Sequence, residues 1–462
     1  MFTKQKLEKY LQKCLSTGAD FAEIFLEESN YKTIKLSDEV IQNVYSDYIK
    51  GIGIRICLKD KTVYGCTNNI QNIDNIITRL ISNFSEKPIK KNINLQEKVI
   101  YKDDIKIPHN KYSITNKKNL LYNINAIARK ESEKVNQVEV KLVEEDEKII
   151  IANTNDLYTE DNRTLTRLAI TTFVKENDKI EKAYIAPGFK KGYEFIDDVN
   201  IEQMTKETVH NVLEKLSAKE CPSGEMPVII GNGFGGVIFH EACVHSLEAT
   251  SVAKGSSVFS NMLGKTIASP KVTIVDDGTL KHEWGSLNID DEGAPTRRNI
   301  LIKEGVLTSY LIDYINSKIM KSKPTSSGRR ESYKFSPTSR MTNTFLLPGT
   351  DKIEDMISNI KYGLYAKNLG GGSVNTSTGD FNFAVNEAYL IENGHITTPV
   401  KGASLIGNGS EIIKRVSMVS DDLKLGTGMC GSISGNIPVT VGQPTIKVDK
   451  ILVGGKGEKV NV

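Results

Sequence analysis

The chain has 462 residues, too many for one ordinary hydrophobic core and enough for two or three domains. With 39% apolar and 25% charged residues it has the balance of a soluble globular protein, and a net charge of +3 over that length gives no basis for nucleic-acid binding. No apolar run approaches the roughly 18 residues of a membrane span, Met1 to Cys14 is charged throughout without a signal-peptide core, and six scattered cysteines lacking a C-x-x-C pair fit a reducing cytoplasm.

In chain order, Leu7, Leu11 and Leu15 recur at helical spacing, Gly18 ends that helix, and Phe21 to Leu26 begins strand-like sequence. Ile52, Ile54 and Ile56 alternate, Asp60-Lys61 turns the chain into Thr62 to Cys66, and a helix is expected from about Ile73 to Phe84. Residues 1–90 thus read as an α+β scaffold domain. The polar stretch from Pro88 to Asn110 reads as a linker. A second α+β domain, 91–222, follows, with helical composition from Tyr112 to about Lys134 and strands at Val138 to Val143, Lys148 to Asn153, Leu165 to Val174 and Lys182 to Ile185. A further helix runs from Thr205 to Leu216. His109 and His210 have no partner nearby in sequence and read as surface residues.

The third domain, 223–462, opens with a buried strand, Met226 to Ile230, entering Gly231-Asn232-Gly233-Phe234-Gly235-Gly236. Gly231, Gly233 and Gly236 form a G-x-G-x-x-G, the mark of a dinucleotide-binding oxidoreductase when it lies between a strand and a helix. Such a fold needs its next strand and ribose-binding acid about 20 residues on. Here the next convincing strand is Lys271 to Val275, so the glycines read better as allowing close backbone approach.

The segment after them carries the chemistry. His240, Glu241, His245 and Glu248 lie within an apolar, helix-prone stretch, and a glutamate beside a liganding imidazole can take a proton from metal-activated water. The histidines are five apart, not four. Five steps turn about 140° on an ideal helix, so both rings reach one ion only if the helix bulges or breaks between Glu241 and His245.

Downstream, Asp276-Asp277-Gly278 and Asp290-Asp291-Glu292-Gly293 read as turns, the second with a functional alternative left open. Ser326 to Arg340 reads as a loop whose Arg329, Arg330 and Arg340 could hold carboxylate or carbonyl groups of a peptide. Gly370, Gly371 and Gly372 permit close approach of an extended substrate strand. His395 follows Glu392-Asn393-Gly394, which reads as a hairpin turn, and itself reads as exposed. Cys430, on a glycine-rich loop, offers a third ligand; Cys243 and His282 compete with it, and spacing does not separate them. Strands around Val439 to Val453 close the chain.

Residues 239–249 (FHEACVHSLEA), VDDG at 275–278, DDEG at 290–293, GRRESY at 328–333, RMTN at 340–343, GGG at 370–372, EAYLIENG at 387–394, GMCG at 428–431 and VGQPT at 441–445 together resemble the TldD/PmbA family. The His-Glu-x-x-x-His motif places the resemblance on the TldD side. Glu248, one turn after His245, reads as an exposed carboxylate or as a group that orients that ring, and the resemblance implies a cytoplasmic zinc metallopeptidase with His240, His245 and Cys430 as ligands and Glu241 as the catalytic base. It also implies unfolded peptide substrates and a dimer, either homomeric or with a PmbA-type subunit. One departure is Val244, where the family usually has glycine; a catalytically silent subunit is the alternative it suggests. The overall expectation is an α+β protein, with N-terminal α/β scaffold domains and a larger, mostly β C-terminal domain carrying the metal-site helix.

Overall fold

The computed structural model describes residues 2–375 and 378–460. Thr3 caps the first helix, Lys4–Cys14, whose Leu7, Leu11 and Cys14 face inward, and Gly18 leaves it at φ +89°. The chain then runs out as one long hairpin, Phe21–Ser37 and Val40–Leu58, turned by Asp38 and Glu39, both at positive φ. Strand Phe21–Ser37 therefore extends well past Leu26, where the apolar pattern stops. Its other edge pairs antiparallel with Val135–Asn153, in register from Glu23 opposite Asn153 to Ser37 opposite Glu139. Val135–Asn153 is likewise one strand, not two, and pairs along its length with Leu157–Glu176. A single mostly antiparallel sheet thus spans the first two expected domains. Helices Ile73–Ile81, Ile114–Glu131 and Ile201–Ser217 lie where the sequence places them, with small shifts at their ends.

The C-terminal region holds one large core between two further sheets. One contains strands Gly224–Ile230, Tyr362–Val374, Asp380–Glu392 and Ile446–Gly454; the other contains Ile274–Asp277, Asn343–Leu346, Gly435–Gln443 and, at its edge, Lys424–Ser432. The short helix Val237–Ala242 sits between them and packs on strands of both. This is the α+β architecture expected from the sequence.

The glycine run before that helix serves packing. A Cβ on Gly236 would stand 2.4 Å from the Gly442 carbonyl oxygen, and one on Gly231 would stand 2.2 Å from that of Lys367. Strand Gly224–Ile230 pairs antiparallel with Ile446–Gly454 and parallel with Tyr362–Val374. Neighbouring backbone thus closes on Gly231 and Gly236, which is the close approach their sequence suggests and not the open backbone that a pyrophosphate would need there.

Candidate metal centre

Helix Val237–Ala242 stops at Cys243, whose φ of −122° and ψ of −55° leave the helical path, and the chain re-forms as a 3-10 turn over Val244–Leu247. The break that five-residue spacing demands is therefore present. It brings the rings of His240 and His245 to 5.0 Å between centroids, edge to face. Val244 is buried and is not among the residues with positive φ, so a β-branched side chain fits where glycine would otherwise stand.

Cys430 arrives from the opposite sheet. It lies within strand Lys424–Ser432, opposite Ile437, and not on a flexible loop as the glycines around it suggest. Its Sγ is 3.3 Å from His240 Nε2 and 3.2 Å from His245 Nε2. The three donor atoms lie within 4.8 Å of one another. Around a tetrahedral zinc with ordinary bond lengths, sulfur and nitrogen ligands stand about 3.5 Å apart, so this donor set fits that ion. The three residues are only 1%, 7% and 2% exposed for His240, His245 and Cys430.

Two carboxylates flank the cluster. Glu248 is buried, with Oε1 3.1 Å from His245 Nδ1, so it is not an exposed carboxylate and stands within hydrogen-bond reach of that ring. Glu241 is more open, and its Oε2 is 3.6 Å from His245 Nε2. Burial works against charge here and is overcome. It raises the Cys430 thiol, but the facing His240 and His245 bring it down to about 3. Burial lowers His245, yet Glu248 and Cys430 hold it well above the ordinary imidazole value. His240 Nδ1 is buried without a hydrogen-bond partner.

The competing ligands lie elsewhere. Cys243 turns its thiol toward the Gly409 carbonyl at 3.6 Å, and burial pushes it up to about 12. His282 sits at a left-handed position, and its carbonyl accepts from Lys190 N. Among the described residues, His240, His245 and Cys430 form the single group of three or more able to hold a metal.

The three arginines are not free donors at a surface. Arg329 donates to the carbonyls of Met341 and Pro438, and Arg330 pairs with Glu23 and donates to the Asp291 carbonyl. Arg340 donates to Ser434 Oγ and to the carbonyls of Gly435 and Cys430. Gly371 and Gly372 line an open polar groove of about 680 Å³ with Lys215, Asn386 and Lys401. Phe381 and Phe383 of the neighbouring strand face the core, whereas Asn382 and Asn386 face this groove, so it lies on the outer side of that sheet. His109, read as a surface residue, is buried between Asp146 (2.9 Å) and Thr166 (2.7 Å). Nothing near it in sequence signals those partners, which stand on separate long strands.

Family models cover almost the whole chain: residues 22–84, 107–216 and 223–455 match domain 1, the central domain and the C-terminal domain of the PmbA/TldA metallopeptidases. The chain belongs to the PmbA/TldD family. A relative from Buchnera aphidicola subsp. Schizaphis graminum, named "Metalloprotease TldD homolog", is 38% identical over 459 residues, covering 96% of this chain and 95% of its own. A "Zinc metalloprotease TldD homolog" from Saccharolobus solfataricus is 30% identical and covers 62% of this chain and 64% of its own. The crystal structure of TldE from Thermococcus kodakarensis shares the fold, with a TM-score of 0.76 at 19% identity, covering 98% of this chain and 99% of that one. No helix among the described residues is long and apolar enough to cross a membrane.

Proposed function

We propose that this protein is a zinc-dependent metallopeptidase that hydrolyses unfolded peptides or small proteins, with zinc on His240, His245 and Cys430. The observation that carries this reading is the convergence of three donors from two separate segments, with Glu241 beside them. A metal in this position supplies a Lewis acid for the scissile carbonyl and a more acidic water. Glu241, the partly open carboxylate, takes the proton of the attacking water and passes it to the leaving amine. Glu248 accepts from His245 Nδ1, which leaves Nε2 as the donor atom facing Cys430.

On this reading residues 223–462 form the catalytic domain, while 1–90 and 91–222 are scaffolds. The protein works in the cytoplasm as a homodimer or beside a PmbA-type subunit; a protein named TldE has this fold. The test is elemental analysis of the purified protein beside Glu241→Gln in an assay with an unstructured peptide. Stoichiometric zinc in both, with cleavage by the parent alone and its loss to a chelator, is expected. Absence of zinc from the parent protein, whether purified alone or with its partner, would end the proposal.

A further inference from the structure

Two arginines beneath the thiol are buried without an ion pair. Arg340 is 0% exposed and Arg329 3%, and among the described residues no carboxylate lies within ion-pairing distance of either. A buried charge without a counter-ion is costly, and it is tolerated for what its donors hold. Here they hold one hairpin. Arg340 Nη2 donates to the carbonyl of Cys430 at 2.5 Å, and Nη1 donates to Ser434 Oγ at 2.8 Å and the Gly435 carbonyl at 3.0 Å. Arg329 Nη1 donates at 2.8 Å to the carbonyl of Pro438 on the returning strand. Glu331 secures the tip, its N–H donating to the Ser434 carbonyl and its Oε2 accepting from Asn436 N.

The strand so held needs holding. Lys424–Ser432 is the edge strand of its sheet, laddered to Gly435–Gln443 alone, with Trp284 Nε1 donating to its Gly428 carbonyl and Gly188 N to Thr427 Oγ1. A thiol on such a strand, facing two imidazoles from the other side of the core, keeps its place only as well as its backbone does. Of the side chains that donate to this hairpin among the described residues, Arg340 is the one that reaches both the backbone of Cys430 and the turn at Ser434 and Gly435.

We propose that Arg340 is a positioning residue for the metal centre: its guanidinium fork fixes the Cys430 backbone and so the thiol's place against His240 and His245. This rests on the zinc reading and deepens it, since it assigns to the chain's own hairpin a donor that the loop sequence suggested for substrate. The fork matters as well as the charge, because one planar group reaches three acceptors at once.

The experiment uses the full-length protein loaded with cobalt, comparing the parent with Arg340→Gln, Arg340→Lys and Ser434→Ala. Metal affinity is read by chelator competition, the thiolate-to-cobalt absorption band reports the sulfur ligand, and circular dichroism reports folding. Arg340→Gln is expected to lose about 10- to 100-fold in affinity and to weaken the thiolate band, the usual size of an outer-shell effect. Arg340→Lys recovers part of both, and Ser434→Ala, which removes one of the three acceptors, gives a smaller loss in the same direction. A folded Arg340→Gln protein with the parent's affinity and band overturns the inference. Should the arginine variants fail to fold, an unchanged band and affinity in Ser434→Ala overturns it instead. A parent protein that takes up neither cobalt nor zinc sinks the metallopeptidase reading itself, a result distinct from tight binding that ignores Arg340.

Discussion

The candidate metal centre and the seam between the N-terminal sheet and the C-terminal domain are both buried and charged, yet they are assembled in opposite ways. At the metal centre, most of the chemistry comes from one broken helix, and a single distant strand completes it. At the seam the partners that join the two regions are distant in the chain. Glu23 pairs with Arg55 and with Arg330, Arg55 also pairs with Glu292, and Arg163 pairs with Asp291, with separations of up to 307 positions. A local break in backbone geometry suffices to collect ligands, whereas holding two domains in register takes a network in which each charge serves more than one partner. Damage to the first should therefore abolish chemistry and spare the fold; damage to the second should do the reverse.

The sharpest division comes from the metal centre. Glu241→Gln is expected to lower peptide turnover by about 10²- to 10⁴-fold, the usual share of a general base, with zinc content and melting temperature unchanged. At the seam, Glu23→Ala leaves the buried Arg330 without its ion-pair partner and Arg55 with Glu292 alone, and should cost about 3–5 kcal/mol in urea unfolding while zinc stoichiometry in the folded fraction holds. If Glu23→Ala unfolds no more readily than the parent, the seam does not carry the load assigned to it.

Val244→Gly probes the point where the helix breaks. Because Val244 keeps negative φ and packs in the core, the variant should lose about 1–3 kcal/mol of stability and gain no zinc occupancy. A rise in occupancy would mean that valine strains the turn. The smallest effect concerns pH. Burial pushes the Glu292 carboxyl up to about 7 against the pull of Arg55, above its ordinary value of 4.5. The folded state therefore binds this proton more tightly than the unfolded chain, and its contribution, present in full below 4.5, is lost as pH rises through 7. The parent should lose stability relative to Glu292→Gln between pH 5 and 7.5, by on the order of 1–2 kcal/mol, in paired unfolding curves. Parallel curves would remove Glu292 from the account.

The same contrast explains what the sequence made legible. His240, Glu241 and His245 announce themselves by residue type, and their spacing alone required the helix to break. Cys430 did not, standing 185 positions from His245 with Cys243 nearer at hand, and family resemblance was needed to favour it. Apolar periodicity located most helices and many strand segments. It failed where strand residues are polar: Glu27-Glu28-Ser29-Asn30 and Glu144 to Glu147 look like loop sequence, yet they lie in the middle of two long paired strands of the N-terminal sheet. His109 reads as facing water, and Arg330 as a peptide-binding loop residue, for the same reason. Patterning registers which residues avoid water, and these residues avoid it only because partners remote in the chain satisfy them.

The register of strand Phe21–Ser37 also bears on how the chain comes into being. One of its edges is matched at once by Val40–Leu58, but the other waits for Val135–Asn153, roughly ten seconds later at ordinary ribosomal rates. Through that interval the nascent chain presents a bare β-edge of fifteen register positions, Glu23 to Ser37, a ready template for wrong pairing. A fragment ending near residue 90 would keep that liability for good, so the first segment should be expressed with its second and not alone.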